Sequence, residues 1–188
     1  MSNIRRRKRN PEFYKISGSG EIVRAGDCVL IKPSQPDKRP SVALVDKLET
    51  DMEGDLMVKL RWYYRPEEAS FGRRQFHGAK ELLLSDHYET QSANTMEGKC
   101  IVHSFLDYTK LENIGAGDYY SRFEYKVGTK EVTPSRVPVY CKCEMPYNPD
   151  CLMMQCDGCK KWFHPGCVKM TTAQALQLSN YMCDECSS

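Results

Sequence analysis

The chain has 188 residues, of which 27 are Lys or Arg, 25 are Asp or Glu and 40% are hydrophobic, for a net charge of +2. That length suits two small domains or one medium one, and with no apolar run near about eighteen residues a membrane span is excluded. Five positive charges sit in one run, Arg5, Arg6, Arg7, Lys8 and Arg9, so the remainder is faintly acidic. Such a body lacks the clustered Lys and Arg that a phosphate backbone requires, which leaves direct DNA binding weak, but it suits a cationic peptide partner.

Taken in order, residues 1–20 read as a basic, disordered tail whose arginine run fits a nuclear-localisation or nucleic-acid arm, or simply a solvated tail. Gly18 to Gly20 mark a turn. Asp27 to Ile31 and Val42 to Val45 read as short buried strands around a proline-rich loop from Pro33 to Pro40. After a turn at Asp51 to Asp55, the residues Val58, Leu60, Trp62 and Tyr64 recur with a period of two, which places them on one face of a strand that Pro66 stops. Cys100 to His103 and Tyr119 to Tyr125 are further strands, and a turn follows at Gly128. Many short strands without alternating long helices predict a mostly β domain, a twisted sheet or partly closed barrel.

From Tyr140 onward the composition changes, because eight of the ten cysteines fall there. Cys141, Cys143, Cys156, Cys159, His164, Cys167, Cys183 and Cys186 form short pairs separated by loops, the spacing of thiolate and imidazole sites for zinc. Two zinc ions would use all eight groups and leave no open coordination position, so the metal is expected to be structural. About fifty residues bury little apolar area, and zinc that binds only the assembled site contributes roughly 10 to 16 kcal/mol of folding free energy. The alternative, a disulfide scaffold, suits a secreted chain; no signal peptide precedes these cysteines, and a reduced, intracellular compartment suits thiolate ligands. Within this stretch only Thr171 to Leu176 reads as helical, with Thr171 as N-cap.

The ligand order, four cysteines, a histidine and three cysteines, differs from the RING order. With Trp162-Phe163-His164 before the fifth ligand and Tyr181 two residues before the last cysteine pair, the stretch resembles a PHD finger. That resemblance implies a cross-brace, with Cys141, Cys143, His164 and Cys167 on one ion and Cys156, Cys159, Cys183 and Cys186 on the other.

Upstream, Arg61-Trp62-Tyr63-Tyr64-Arg65-Pro66-Glu67-Glu68, Arg73 to Leu82 and Leu84-Ser85-Asp86-His87 resemble the core of a BAH domain. The expected division is therefore a tail over 1–20, a BAH domain over 21–137 and a PHD finger over 138–188. The order of the two, joined by Tyr140 to Asp150, is similar to plant chromatin readers of the early-bolting-in-short-days and short-life type. The resemblance implies a nuclear protein that reads trimethyl-lysine on histone H3, lysine 4 through the finger and lysine 27 through the BAH domain. Chromatin, histone H3 tails and co-repressor or demethylase complexes are the implied partners.

A trimethylammonium cannot donate a hydrogen bond, so its recognition depends on a box of aromatic faces, each well-placed ring contributing about 0.5 to 2 kcal/mol. By resemblance, the finger's box is Tyr140, Tyr147, Met153 and Trp162, the thioether serving as one wall; plain cover for a zinc core is the competing role. Leu152 to Gln155 offers a strand edge to an extended peptide. Asp157 is placed to attract the arginine two positions before the methylated lysine, or is a solvated turn carboxylate. In the BAH domain, Trp62 and Tyr64 match two cage positions, and Ser41 stands where the family has a third aromatic. Asp86 and His87 match residues of the peptide channel, while ordinary β packing would also explain Trp62 and Tyr64. Cys151 departs from the acidic residue of relatives and reads as a free thiol, like Cys28 and Cys100.

An enzyme reading, a RING-like ubiquitin ligase above all, conflicts with the ligand order and with the lack of a Gly-rich cofactor loop or nucleophile motif. A chromatin scaffold that reads no mark is the remaining competitor.

Overall fold

The computed structural model describes residues 10–188, so the arginine run Arg5 to Arg9 lies outside the described residues. The chain forms two units. One runs up to Arg73 and resumes from Lys80 to Thr133; the other comprises Arg74–Ala79 and Pro134–Ser188.

The first unit opens with a hairpin of β1 (Tyr14–Lys15) and β2 (Ile22–Val23). Its turn uses Gly18 and Gly20 at φ +94° and +73°, a region that costs glycine little and other residues a steric clash. Ordered structure thus begins before residue 21, inside the segment expected to be a disordered tail. The reason is Ile16, which the returning hairpin places in the main core at 2% exposure.

The strands β3 (Cys28–Ile31), β4 (Ser41–Thr50), β5 (Leu56–Tyr64), β6 (Glu81–Ser92), β7 (Met96–Ser104), β8 (Asp118–Tyr125) and β9 (Val132–Thr133) form one sheet in the order β6-β5-β4-β3-β7-β8-β9. A short helix, α1 (Phe105–Thr109), capped by the Ser104 hydroxyl, leads from β7 towards β8. β8 runs parallel to both of its main neighbours, pairing 118–121 with 101–104 of β7 and 120–125 with 81–85 of β6. The pairing of β6 with β8 closes the expected twisted sheet into a ring of hydrogen-bonded strands.

Both faces of β3 to β5 are covered. Val29, Ile31, Ala43, Val45, Val58 and Leu60 belong to one core cluster, with Trp62 packed against it. Val42, Leu82 and Cys100 form another with Leu30 and Tyr63. This two-sided burial explains the unbroken apolar runs of β3 and β4, each large side chain contributing roughly 1.5 to 3 kcal/mol. The turn between β4 and β5 is built by Asp51, whose Oδ1 accepts from the amides of Glu53, Gly54 and Asp55. Glu81, fully buried, accepts from Arg122 Nε at 2.7 Å and from the Tyr120 hydroxyl at 3.1 Å.

The second unit has two two-stranded sheets, β10 (Val139–Tyr140) with β11 (Met145–Pro146), and β12 (Met154–Gln155) with β13 (Trp162–Phe163). α2 (Thr172–Leu176) starts at Thr171 through a reciprocal capping box with Gln174, a pattern that satisfies two end amides at once. It is not the only helix of this unit: α3 (Asp184–Ser187) follows Cys183, with Asp184 and Glu185 in its first turn. Four residues are too few for a helical period to show in sequence.

Candidate functional site

The eight metal-type ligands converge in two clusters. The donor atoms of Cys141, Cys143, His164 and Cys167 lie within 4.8 Å of one another, as do those of Cys156, Cys159, Cys183 and Cys186. Tetrahedral zinc with Zn–S near 2.3 Å requires sulfur pairs about 3.8 Å apart and sulfur–nitrogen pairs about 3.6 Å apart. Cys159 and Cys183 have their sulfurs 3.8 Å apart, and His164 Nδ1 lies 3.4 Å from Cys143 Sγ and 3.9 Å from Cys167 Sγ. The donors therefore fit zinc, with histidine presenting Nδ1. Backbone amides brace the sulfurs, from His164 to Cys141 and from Cys183 to Cys156, each at 3.3 Å. Amides of Cys183 and Cys159 pull the Cys156 thiol down to about 6, which favours the thiolate that a metal needs. All ten cysteines are free of disulfides.

β10 carries Tyr140 and β13 carries Trp162, each partly exposed at 37% and 41% despite their size. They share a cavity of about 630 Å³ with Tyr147, Pro149, Asp150, Cys151, Leu152 and Met153. The structure thus brings Tyr140, Tyr147, Met153 and Trp162 together. A second cavity of about 600 Å³ also includes Tyr140 and Trp162 in its lining, together with Lys142, Glu144, Asp184 and Glu185. Among the described residues, β12 is paired on one side only, by β13. Asp157 lines neither cavity; it exchanges hydrogen bonds with the Tyr181 backbone, its amide donating at 2.8 Å and its Oδ2 accepting at 3.0 Å.

In the first unit, Ala43 pairs with Trp62 and Val45 with Leu60, so Ser41, two residues before Ala43, falls on the face of Trp62 and Tyr64. The Trp62 indole donates to Glu89 Oε2 at 3.1 Å, and the Tyr64 hydroxyl lies 2.8 Å from His87 Nδ1. Tyr64 also meets Tyr125, ring centroids 5.8 Å apart. Burial, then the negative charge of Glu68, pushes its hydroxyl pKa up, so it stays protonated. Asp86, whose Oδ1 accepts from the Val127 amide at 3.0 Å, adds its negative charge to those that act on the Tyr64 hydroxyl. Glu89 escaped sequence reasoning, because only the pairing of β5 with β6, Leu60 opposite Glu89, brings it to Trp62. Knowing that register would have found it.

The BAH domain family matches residues 21–133 and the PHD-finger family residues 141–186. The chain belongs to the BAH–PHD family of chromatin-associated proteins. It is 60% identical over 187 residues to the chromatin remodeling protein EBS of Arabidopsis thaliana, covering 100% of this chain and 80% of that one. Identity to the chromatin remodeling protein SHL of the same plant is 53% over 175 residues, 93% of this chain and 77% of the relative. The lysine-specific demethylase 7A of Xenopus tropicalis shares 47% identity over 49 residues, 26% of this chain and 5% of that protein. The demethylase matches only about a quarter of the chain, whereas both relatives that span it are BAH–PHD chromatin proteins. The chain is a binding protein rather than an enzyme. The yeast Rsc2 BAH domain superposes with a TM-score of 0.54 at 20% identity, over 68% of this chain and 55% of that one, which is a likeness of fold.

Proposed function

We propose that this protein is a nuclear chromatin reader that binds methylated histone H3 tails. Its finger takes trimethylated lysine 4 and its BAH domain takes trimethylated lysine 27, with residues 21–137 and 138–188 as the two reading modules. The observation that carries the reading is the cavity in which Tyr140, Tyr147, Met153 and Trp162 meet. A zinc core needs no such open aromatic box, whereas a trimethylammonium, which has charge but no donor, is held by ring faces and desolvation. The tail would add a strand to the free edge of β12, gaining main-chain hydrogen bonds, while Asp157 attracts the arginine two positions earlier. Two structural zinc ions, held by the two ligand clusters, keep β10, β12 and β13 in place around the box. In the BAH domain, Ser41, Trp62 and Tyr64 form the corresponding face, with Asp86 and His87 beside the peptide path and Glu89 adding a carboxylate that favours a cationic chain. Demethylase or co-repressor complexes are the partners that such a reader would bring to chromatin.

An array of modified histone peptides, followed by calorimetry on the zinc-loaded chain, tests this reading. Selective binding of H3 peptides trimethylated at lysine 4 supports the finger's role, and selective binding at lysine 27 supports that of the BAH domain. A chain that binds modified and unmodified tails alike is a scaffold.

A further inference from the structure

The loop that carries Tyr147 is tied by side chains to a separate stretch of its unit. Asn148 is only 8% exposed, yet it sits in a surface loop between two residues of the aromatic box, Tyr147 and Met153. Its Nδ2 donates to the Gln75 carbonyl at 2.8 Å and lies 3.4 Å from that of His77, while its Oδ1 accepts from the Asp150 amide at 2.9 Å. Two residues on, Asp150 Oδ2 accepts from the Ala79 amide at 2.7 Å. The loop is thus fastened at two points to Arg74–Ala79, a segment outside the finger's own family match that nonetheless belongs to the finger's unit. That segment is itself shaped by a turn in which His77 donates its amide to the Arg74 carbonyl at 3.0 Å and accepts the Arg74 amide at Nδ1, 2.9 Å away.

We infer that Asn148 is a positioning residue for methyl-lysine recognition, fixing Tyr147 as a wall of the box by fastening its loop to residues 75 and 77. This rests on the lysine 4 reading above. The physical case is pre-organisation. A loop tied by side-chain donors to two backbone carbonyls presents its ring before ligand arrives, so binding does not have to order it. The Asx turn from Asn148 to Asp150 shapes the loop locally, whereas the Nδ2 contacts of Asn148, with the bond from the Ala79 amide to Asp150, join it to a separate stretch of chain. Tyr147 discriminates a trimethylated from an unmodified lysine; the β12 edge does not, because it reads main chain.

Asn148→Ser keeps an acceptor for the Asp150 amide and loses the reach to Gln75 and His77. On the full, zinc-loaded chain, titrated with H3 tail peptides trimethylated or unmodified at lysine 4, the variant is expected to weaken the trimethylated peptide about five- to tenfold. Affinity for the unmodified peptide stays as it was, so discrimination falls. In a Tyr147→Ala background the same change adds nothing, because the wall it positions is gone. Unchanged discrimination, or equal losses with and without Tyr147, overturns the inference. The unaltered chain supplies a second measurement, since coupling is reciprocal. Trimethylated peptide should slow hydrogen exchange at the Ala79 and Asp150 amides, and unmodified peptide should not; no difference between the peptides overturns the inference as well. An unaltered chain that fails to discriminate the peptides refutes the box itself. An Asn148→Ser variant that discriminates as well as the unaltered chain refutes the anchoring alone.

Discussion

Ala43 stands opposite Trp62 across β4 and β5, and that pairing puts Ser41 on the same face, where an aromatic ring would stand as a third wall. On the proposed lysine 27 reading, a hydroxyl there would leave one side of a bound ammonium facing water. The site should lose about 0.5 to 2 kcal/mol relative to a complete cage, up to roughly thirtyfold in affinity. Ser41→Tyr should therefore strengthen binding of the H3 peptide trimethylated at lysine 27 and leave the lysine 4 peptide alone. Calorimetric titration of both peptides into both proteins checks this; tight binding that ignores the added ring would place the pocket elsewhere.

Trp162 presents the largest ring of the finger's box, and its exposure means that little core depends on it. Trp162→Ala should weaken the trimethylated lysine 4 peptide by roughly 1 to 3 kcal/mol without releasing zinc. Tyr147→Ala should do the same more mildly. Metal analysis alongside calorimetry separates loss of a wall from loss of fold, and full affinity in a folded Trp162→Ala protein would refute the assignment.

Zinc removal should act on one unit. The second unit buries only a small apolar cluster, Cys156, Phe163 and Cys183 with their neighbours, so chelation should unfold residues 141–186, and metal analysis before chelation should find two zinc ions per chain. The ring of strands has its own clusters and should keep most of its β circular dichroism. Peptide binding by the finger that survives complete chelation would contradict the ligand assignment.

Arg122→Ala should destabilise the first unit by about 3 to 5 kcal/mol, because Glu81 would keep a buried carboxylate without its cation. Denaturant unfolding followed at the β signal measures it. Replacing both partners with apolar residues should cost much less, since no charge is then left behind.

What was readable in the sequence was readable for physical reasons. The metal ligands show themselves because coordination fixes both residue type and spacing, and β5 shows itself because Val58 and Leu60 face the core while their neighbours are less buried. β6, the longest strand, shows no period: Glu81 to Leu83 are buried together and Asp86 to Thr90 are exposed together, so neither end alternates. Its leading residue is a glutamate, which reads as surface until Arg122, 41 positions away, turns out to be its partner. Asn148 hid for a similar reason, since a loop asparagine looks like a turn until the carbonyl of Gln75 is found beside it.

The ring closes through β8, and that closure matters for a chain made from its N-terminus. Until residues 118–125 leave the ribosome, the pairing edges of β6 and β7 that β8 will occupy have no partner, although most of the apolar core has already been synthesised. Unpaired edges beside apolar surface invite association with other chains. A pause in translation, or a truncation, before Asp118 should therefore yield a nascent species that chaperones hold. Completion of β8 is the step at which the first unit becomes safe to release.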